Sequence, residues 1–81
     1  MVVQAILPLG FLTPGRDAVV RDVVGARNLR QRLNEMGFAR GTVVRIVQSQ
    51  PCGPIIISIG DSRVVLGWGA AQKVMVEEVG N

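Results

Sequence analysis

The apolar residues of this 81-residue chain come in short runs rich in valine and isoleucine, and glycine or proline corners separate the runs. Such runs favour strands over helices, because β-branched side chains pack well on a pleated surface. The corners keep each strand short. The pattern predicts five strands, at residues 17–24, 42–48, 55–59, 63–66 and 73–79.

Strands this short and this apolar favour a closed arrangement. An open sheet would leave unpaired strand edges that promote aggregation, and closing the sheet into a barrel removes them. The chain is long enough for one small core and contains no repeat or linker. We therefore expect a single domain over residues 1–81, mainly β, built as a small SH3-like barrel with one short α-helix between the first two main strands.

Residues 28–41 are typical of that helix, with signals for both of its ends. Asn28 is a preferred N-cap residue, and Gln31 has the spacing of a capping box. Leu29, Leu33 and Met36 follow at three- and four-residue spacing and form one narrow apolar stripe. A helix this short is not stable alone, so we expect the stripe to pack against the sheet or against a partner.

The end of the helix is indicated by Gly37 and Phe38. Gly37 suits the left-handed residue that follows a helix, and Phe38 can fold back onto Leu33, as in a Schellman motif. Gly41 then turns the chain into the next strand. The arginines flanking the stripe leave two interpretations open: a core-packing helix with a solvated basic face, or a helix that presents Arg and Leu to a partner.

Residues suited to catalysis or metal binding are sparse. The chain has no His and no Tyr, which removes the commonest general base, and it lacks a GxxxxGK[ST] phosphate loop. The six carboxylates and the lone cysteine show no paired metal-ligand spacing. Glu77 and Glu78 are neighbours on a predicted strand and so point to opposite faces. We expect no enzyme activity, no metal site and no resident cofactor, although a transient contact with ferrous iron is compatible with these residues.

Positive charge is concentrated in one half of the chain. Residues 1–45 hold seven Arg against three carboxylates, a net charge of +4, whereas residues 46–81 hold two cations against three carboxylates, a net charge of −1. Arginine suits forked contacts with carboxylate or phosphate, so we expect an acidic or polar partner surface. Nucleic acid is not the expected partner, because single-strand binders interleave cations with stacking aromatics. Only Phe11, Phe38 and Trp68 are aromatic here, and a small nucleic-acid-binding barrel is kept as an alternative.

The sequence also bears on location and assembly. No apolar run reaches the roughly 20 residues that span a membrane, and the apolar N-terminus lacks the basic region of a signal peptide. Cys52 alone cannot form an internal disulfide. We expect a cytoplasmic protein that is not embedded in a membrane, and a valine-rich strand edge would allow a homo-oligomer.

Several segments in order resemble the FeoA family. RQRLNEMGFARGTVVRIV, residues 30–47, is similar to the family segment RRL-x-E-M/L-G, two variable residues, G and an apolar strand. The N-terminal L-x-x-L-x-P-G pattern, the P-x-G-D-P corner and the closing L-R/G-x-x-x-A-x-x-I-x-V pattern have counterparts from about residue 9 to residue 79. Two departures stand out. The corner reads Pro51-Cys52-Gly53-Pro54, without the family's Asp, and Gly67 replaces a common Arg.

The resemblance implies a fold and a function. FeoA proteins are small cytoplasmic SH3-like barrels that accompany FeoB, the membrane ferrous-iron transporter with a cytoplasmic GTPase domain. The expected function is therefore an accessory role in ferrous iron uptake through contact with the cytoplasmic region of FeoB. The same barrel occurs in iron-dependent repressors, so a metal-responsive regulatory domain is a further alternative.

Two sets of residues carry these expectations. The expected partner-binding residues are Arg30, Arg32, Leu33, Met36 and Phe38. The expected structural positions are Asn28, Gly37, Gly41, Pro51, Gly53 and Pro54.

Overall fold

The computed structural model describes residues 5–79. In that range there are six strands, two helices and a 3-10 turn. The strands are β1 (Ile6–Pro8), β2 (Asp17–Val23), β3 (Val43–Ser49), β4 (Ile55–Ile59), β5 (Ser62–Leu66) and β6 (Val74–Glu78). The helices are α1 (Arg27–Glu35) and α2 (Trp68–Ala71), and the 3-10 turn covers Leu9–Phe11.

The six strands form one antiparallel sheet in the order β1-β6-β2-β3-β4-β5. The hairpin between β4 and β5 is the tightest connection, with Ile59 opposite Ser62 and only Gly60 and Asp61 between them. Gly60 has a positive φ of 58°, which suits a two-residue hairpin turn. The SH3-like architecture and the helix between the first two main strands are as the sequence predicts.

Strand β1 is absent from the sequence prediction. It is only three residues long and ends in Pro8, which has no backbone N–H to donate. The proline is tolerated because β1 lies at the edge of the sheet, where only β6 pairs with it and one side of the strand needs no hydrogen-bond donors. Three residues around a proline carry no detectable alternation, so the residue pattern could not reveal this strand.

Strand β2 contains a β-bulge. Val20 lies opposite Val76 and Asp22 lies opposite Met75, so Arg21 is the extra residue. Both Arg21 and Asp22 are exposed, whereas Ala18 and Val20 are buried earlier in the same strand. The bulge therefore turns the polar end of β2 out of the core and toward the segment that follows it.

The core is filled mainly by alternating strand residues. Ile55 and Ile57 of β4 and Val74 and Val76 of β6 are fully buried, as the period-two pattern predicts. Helix α1 contributes one buried side chain, Leu33. No polar or charged residue among residues 5–79 is buried. The fully buried residues in the described part of the chain are therefore all apolar.

The start of α1 corrects the sequence prediction. The helix begins at Arg27 after Ala26, and no side chain caps its first turn. Asn28 is thus the second helical residue and is exposed, and the predicted capping box with Gln31 does not form. The reason is the backbone of Gly25, whose φ of 112° lets the chain turn into the helix earlier than the Asn28 signal indicates.

The end of α1 is a Schellman motif, as predicted. The Phe38 N–H donates to the Leu33 carbonyl and the Gly37 N–H donates to the Asn34 carbonyl, both at 3.0 Å. Gly37 has a φ of 112°. Leu33 and Phe38 both belong to the buried core, so the motif fastens the helix end to the barrel.

Gly37→Ala is expected to destabilise the domain by about 1–3 kcal/mol, because an L side chain is strained at that φ. The added Cβ would also lie 3.4 Å from Ile59 Cγ2. Gly69→Ala is a matched control, since its Cβ meets nothing within 4 Å, and it is expected to be neutral or stabilising by about 0.4–1 kcal/mol. Urea unfolding of both variants measures the difference. Equal free energies of unfolding for the two variants would contradict the assignment of Gly37 as the left-handed residue of the Schellman motif.

Across residues 5–79, none of the helices has the length and apolar character needed to cross a membrane.

Candidate protein-binding surface

Four arginines on the sheet and its loops are held in ion pairs. Arg21 Nε donates to Glu77 Oε1 and Arg45 Nε donates to Asp17 Oδ1, both at 2.7 Å. The hydrogen bond from Arg45 to Asp17, with the charge of that carboxylate, raises the pKa of Arg45. Arg16 lies 3.2 Å from Glu78, and Arg40 lies 3.6 Å from Asp22. These four guanidinium groups are therefore engaged by carboxylates of the same chain.

The arginines of α1 differ in this respect. Arg27, Arg30 and Arg32 are exposed, and none of them makes an ion pair or a side-chain hydrogen bond with any residue of the 5–79 range. Each guanidinium carries five donors in a rigid fork that remain available to a partner. Arg27 and Arg30 lie on one flank of the helix and Arg32 lies on the other, because residues two positions apart do not share a side of a helix. We call the exposed surface of α1 that bears these three residues the arginine face.

The arginine face contains a shallow depression. Arg27, Arg30, Gln31, Asn34 and Glu35 line it. Four of its five side chains carry hydrogen-bond donors, the two amides also offer an acceptor oxygen, and Glu35 is the single carboxylate. The surface is therefore complementary to a partner that offers acceptor oxygens, above all carboxylates.

Two of the predicted partner-binding residues lie in the core. Leu33 is 1% exposed and Phe38 is 0% exposed. The expectation that their side chains contact a partner is therefore corrected: both hold α1 on the barrel. Arg30 and Arg32 are exposed as predicted, and Met36 is 38% exposed at the helix end. The apolar stripe is thus divided between the core and the surface.

The predicted structural positions have defined roles in the backbone. Gly41 has a φ of 91°, and its N–H donates to the Val20 carbonyl at 2.7 Å, which holds the turn after α1 against β2. Pro51, Gly53 and Pro54 form the corner between β3 and β4, where the Gly53 N–H donates to the Gln50 carbonyl. Cys52 at this corner is exposed, with a φ of 54°.

An aromatic pair was missed by the sequence interpretation. Phe11 is 64% exposed, and its ring meets the half-buried Trp68 edge to face, with centroids 5.8 Å apart. Trp68 also packs against the core. The two residues are 57 positions apart in the chain, so only the contact between the 3-10 turn and α2 brings them together. No local pattern could have indicated this pair.

Potential metal ligands are dispersed. Within residues 5–79, no three His, Cys, Asp or Glu side chains are close enough together to hold a metal ion. The expectations of no metal site and no cofactor stay predictions.

Comparison with known proteins identifies the family. The sequence model of the FeoA domain family matches residues 7–78 of this chain. An archaeal protein of Methanocaldococcus jannaschii, assigned as Fe(2+) transport protein A, is 35% identical over 71 residues, which cover 88% of this chain and 85% of that protein. A crystal structure of the iron uptake regulatory protein FeoA superposes with a TM-score of 0.87 at 39% identity, covering 93% of this chain and 100% of that chain.

A further solved relative binds a metal. The zinc complex of Stenotrophomonas maltophilia FeoA has a TM-score of 0.74 at 30% identity, covering 93% of this chain and 89% of that chain. That protein is described as a prokaryotic SH3 domain protein, and a role as a ferrous iron transport activating factor has been suggested for it. The match over residues 7–78, together with the archaeal relative, establishes that this chain belongs to the FeoA family.

Proposed function

We propose that this protein is an accessory protein of ferrous iron uptake that binds the cytoplasmic region of a FeoB-type transporter through the arginine face of α1. The observation that carries the proposal is the set of exposed arginines at positions 27, 30 and 32, which have no ion-pair partner among residues 5–79. In a FeoA family member, such a surface fits a protein partner that supplies carboxylates.

The physical basis is the difference between guanidinium groups that already form an ion pair within the described residues and those that do not. Arg21 or Arg45 would have to give up an existing ion pair before binding a partner, whereas Arg30 and Arg32 would only lose water. A charge-assisted hydrogen bond contributes about 1.5–3 kcal/mol. Met36 lies at the end of the same helix and supplies apolar contact area beside the charges.

The proposal places the function in binding and not in chemistry. The chain lacks His and Tyr, and the arginine face holds no nucleophile paired with a base. A cytoplasmic location follows from the proposed partner region. Binding that shifts the transporter between conformations would regulate iron entry without a reaction on this protein.

Arg30→Ala combined with Arg32→Ala is expected to weaken binding to the cytoplasmic GTPase region of the organism's own FeoB-type transporter by about tenfold or more. The two guanidinium groups are lost from the interface while the fold is kept, because both are exposed and unpaired within residues 5–79. Calorimetric titration with and without GTP measures the affinity.

Arg63→Ala is the matched control, since Arg63 is an exposed arginine on β5 without an ion pair among the described residues. It is expected to bind like the wild type. Equal affinities for the double variant and the wild type, with circular dichroism showing both folded, would remove α1 from the interface. Absence of binding by the wild type in every nucleotide state would overturn the proposed partner region.

A further inference from the structure

Three segments meet at a small polar niche beside the arginine face. The exposed end of β2, the side of α1 and the turn at residues 39–42 surround a cavity of about 260 Å³. Asp22, Val23, Arg30, Asn34 and Arg40 line it. We call this cavity the Arg30–Arg40 niche.

The backbone around the niche is firmly held. The Gly41 N–H donates to the Val20 carbonyl at 2.7 Å, and the Val20 N–H donates to the Thr42 carbonyl at 2.9 Å. These two bonds fix the turn that carries Arg40 against the part of β2 just before its bulge. The bulge then directs Asp22 outward, and Asp22 Oδ1 accepts the Val23 N–H at 2.9 Å. The fold therefore fixes the backbone positions that carry Asp22 and Arg40 at the niche.

The charges of the niche do not balance. It contains two guanidinium groups and one carboxylate. The Arg40–Asp22 pair is long, at 3.6 Å, and both side chains are more than half exposed, so it contributes little to stability. Arg30 has no ion-pair partner in the described range. One further negative charge would satisfy both arginines, and the amide of Asn34 adds a neutral donor.

We propose that the Arg30–Arg40 niche receives the carboxylate of an Asp or Glu side chain from an acidic segment of a partner protein, and that Asp22 competes for Arg40. The inference rests on the proposed function, because Arg30 belongs to both surfaces. A singly charged carboxylate fits better than a phosphate dianion. The net charge of the niche is only +1, and the C-terminal end of α1 beside Asn34 carries a negative partial charge.

The test is a titration of the isotope-labelled protein with a short glutamate-rich peptide, followed by nuclear magnetic resonance. Saturable shifts are expected at the side chains of Arg30, Asn34 and Arg40. Arg40→Gln is expected to weaken binding at least threefold, and Asp22→Asn is expected to tighten it about threefold, because the competing charge is gone. An asparagine oxygen still accepts the Val23 N–H, so the local backbone is preserved.

Two control variants distinguish binding at the niche from a general effect of the protein's net charge. Arg63→Gln and Asp61→Asn change the same charges at exposed positions of β5 and its hairpin turn, and both are expected to bind like the wild type. Equal effects of Asp22→Asn and Asp61→Asn would overturn the proposal, because general electrostatics would then explain the binding. Inorganic phosphate or an RNA oligonucleotide that gives the same shifts more tightly than the peptide, at equal ionic strength, would overturn the carboxylate assignment.

The same four variants, titrated with the cytoplasmic region of the transporter, distinguish the two proposals. Binding by the wild type and by all variants alike would overturn the niche as a partner site and retain the proposed function. Niche-specific shifts with the peptide, without any binding of the transporter region, would support the niche and overturn the proposed function.

Discussion

Phe38→Ala is expected to destabilise the folded domain by about 3–5 kcal/mol. Phe38 is the largest fully buried side chain in the described core, with 0% exposure, so its removal leaves a cavity as well as lost apolar contact. A domain of this size has a total stability of about 5–15 kcal/mol. The substitution therefore removes a large fraction of it, and urea unfolding measures the loss.

Phe11→Ala is the matched control for Phe38→Ala. The residue type and the substitution are the same, but Phe11 is 64% exposed and pairs with Trp68 in an edge-to-face aromatic contact. We expect a loss of about 1 kcal/mol or less, since an aromatic pair contributes about 0.5–1.5 kcal/mol. Similar losses for the two variants would show that Phe38 is not the core residue described above.

Leu33→Ala is expected to cost about 2–5 kcal/mol of stability and to leave partner affinity unchanged in the fraction that remains folded. The reason is that Leu33 is 1% exposed and is the only α1 residue that is fully buried. Urea unfolding gives the stability, and calorimetry below the unfolding temperature, corrected for the folded fraction, gives the affinity.

Met36→Ala is the complementary variant on the same stripe. Met36 is 38% exposed, so we expect a stability change of about 1 kcal/mol or less and a measurable loss of partner affinity. If Leu33→Ala stayed fully stable and lost binding, Leu33 would be interfacial and the orientation of α1 would be wrong. Loss of stability without loss of binding in Met36→Ala would remove Met36 from the interface.

One short helix, α1, both packs on the core and presents arginines at the surface. A nine-residue helix is marginal in water and gains its stability from packing. Leu33 and the Schellman end at Gly37 and Phe38 provide that packing. The exposed surface of the helix is then free to carry arginines that contribute little to folding. A partner can use those arginines without loosening the core.

Local chemistry was sufficient to predict much of the fold. Alternation identified Ile55 and Ile57 as a buried face because the side-chain period of a strand is two. Gly37 ended the helix where a left-handed residue was needed. The Asn28 cap failed because Gly25 let the helix begin two residues earlier than the capping signal indicates.

The sequence by itself therefore determined the five main strands and the helix end, because each depends on residues within a few positions of one another. It also determined the excess of arginine and the family pattern, which depend only on residue identity and order. Only the tertiary structure decided which arginines are paired with a carboxylate of the same chain. Arg21 reaches Glu77 across 56 positions and Arg45 reaches Asp17 across 28, through strand pairing that no local pattern specifies. The same pairing, with the bulge at Arg21, brings Asp22 to Arg40 and leaves the arginines of α1 for a partner.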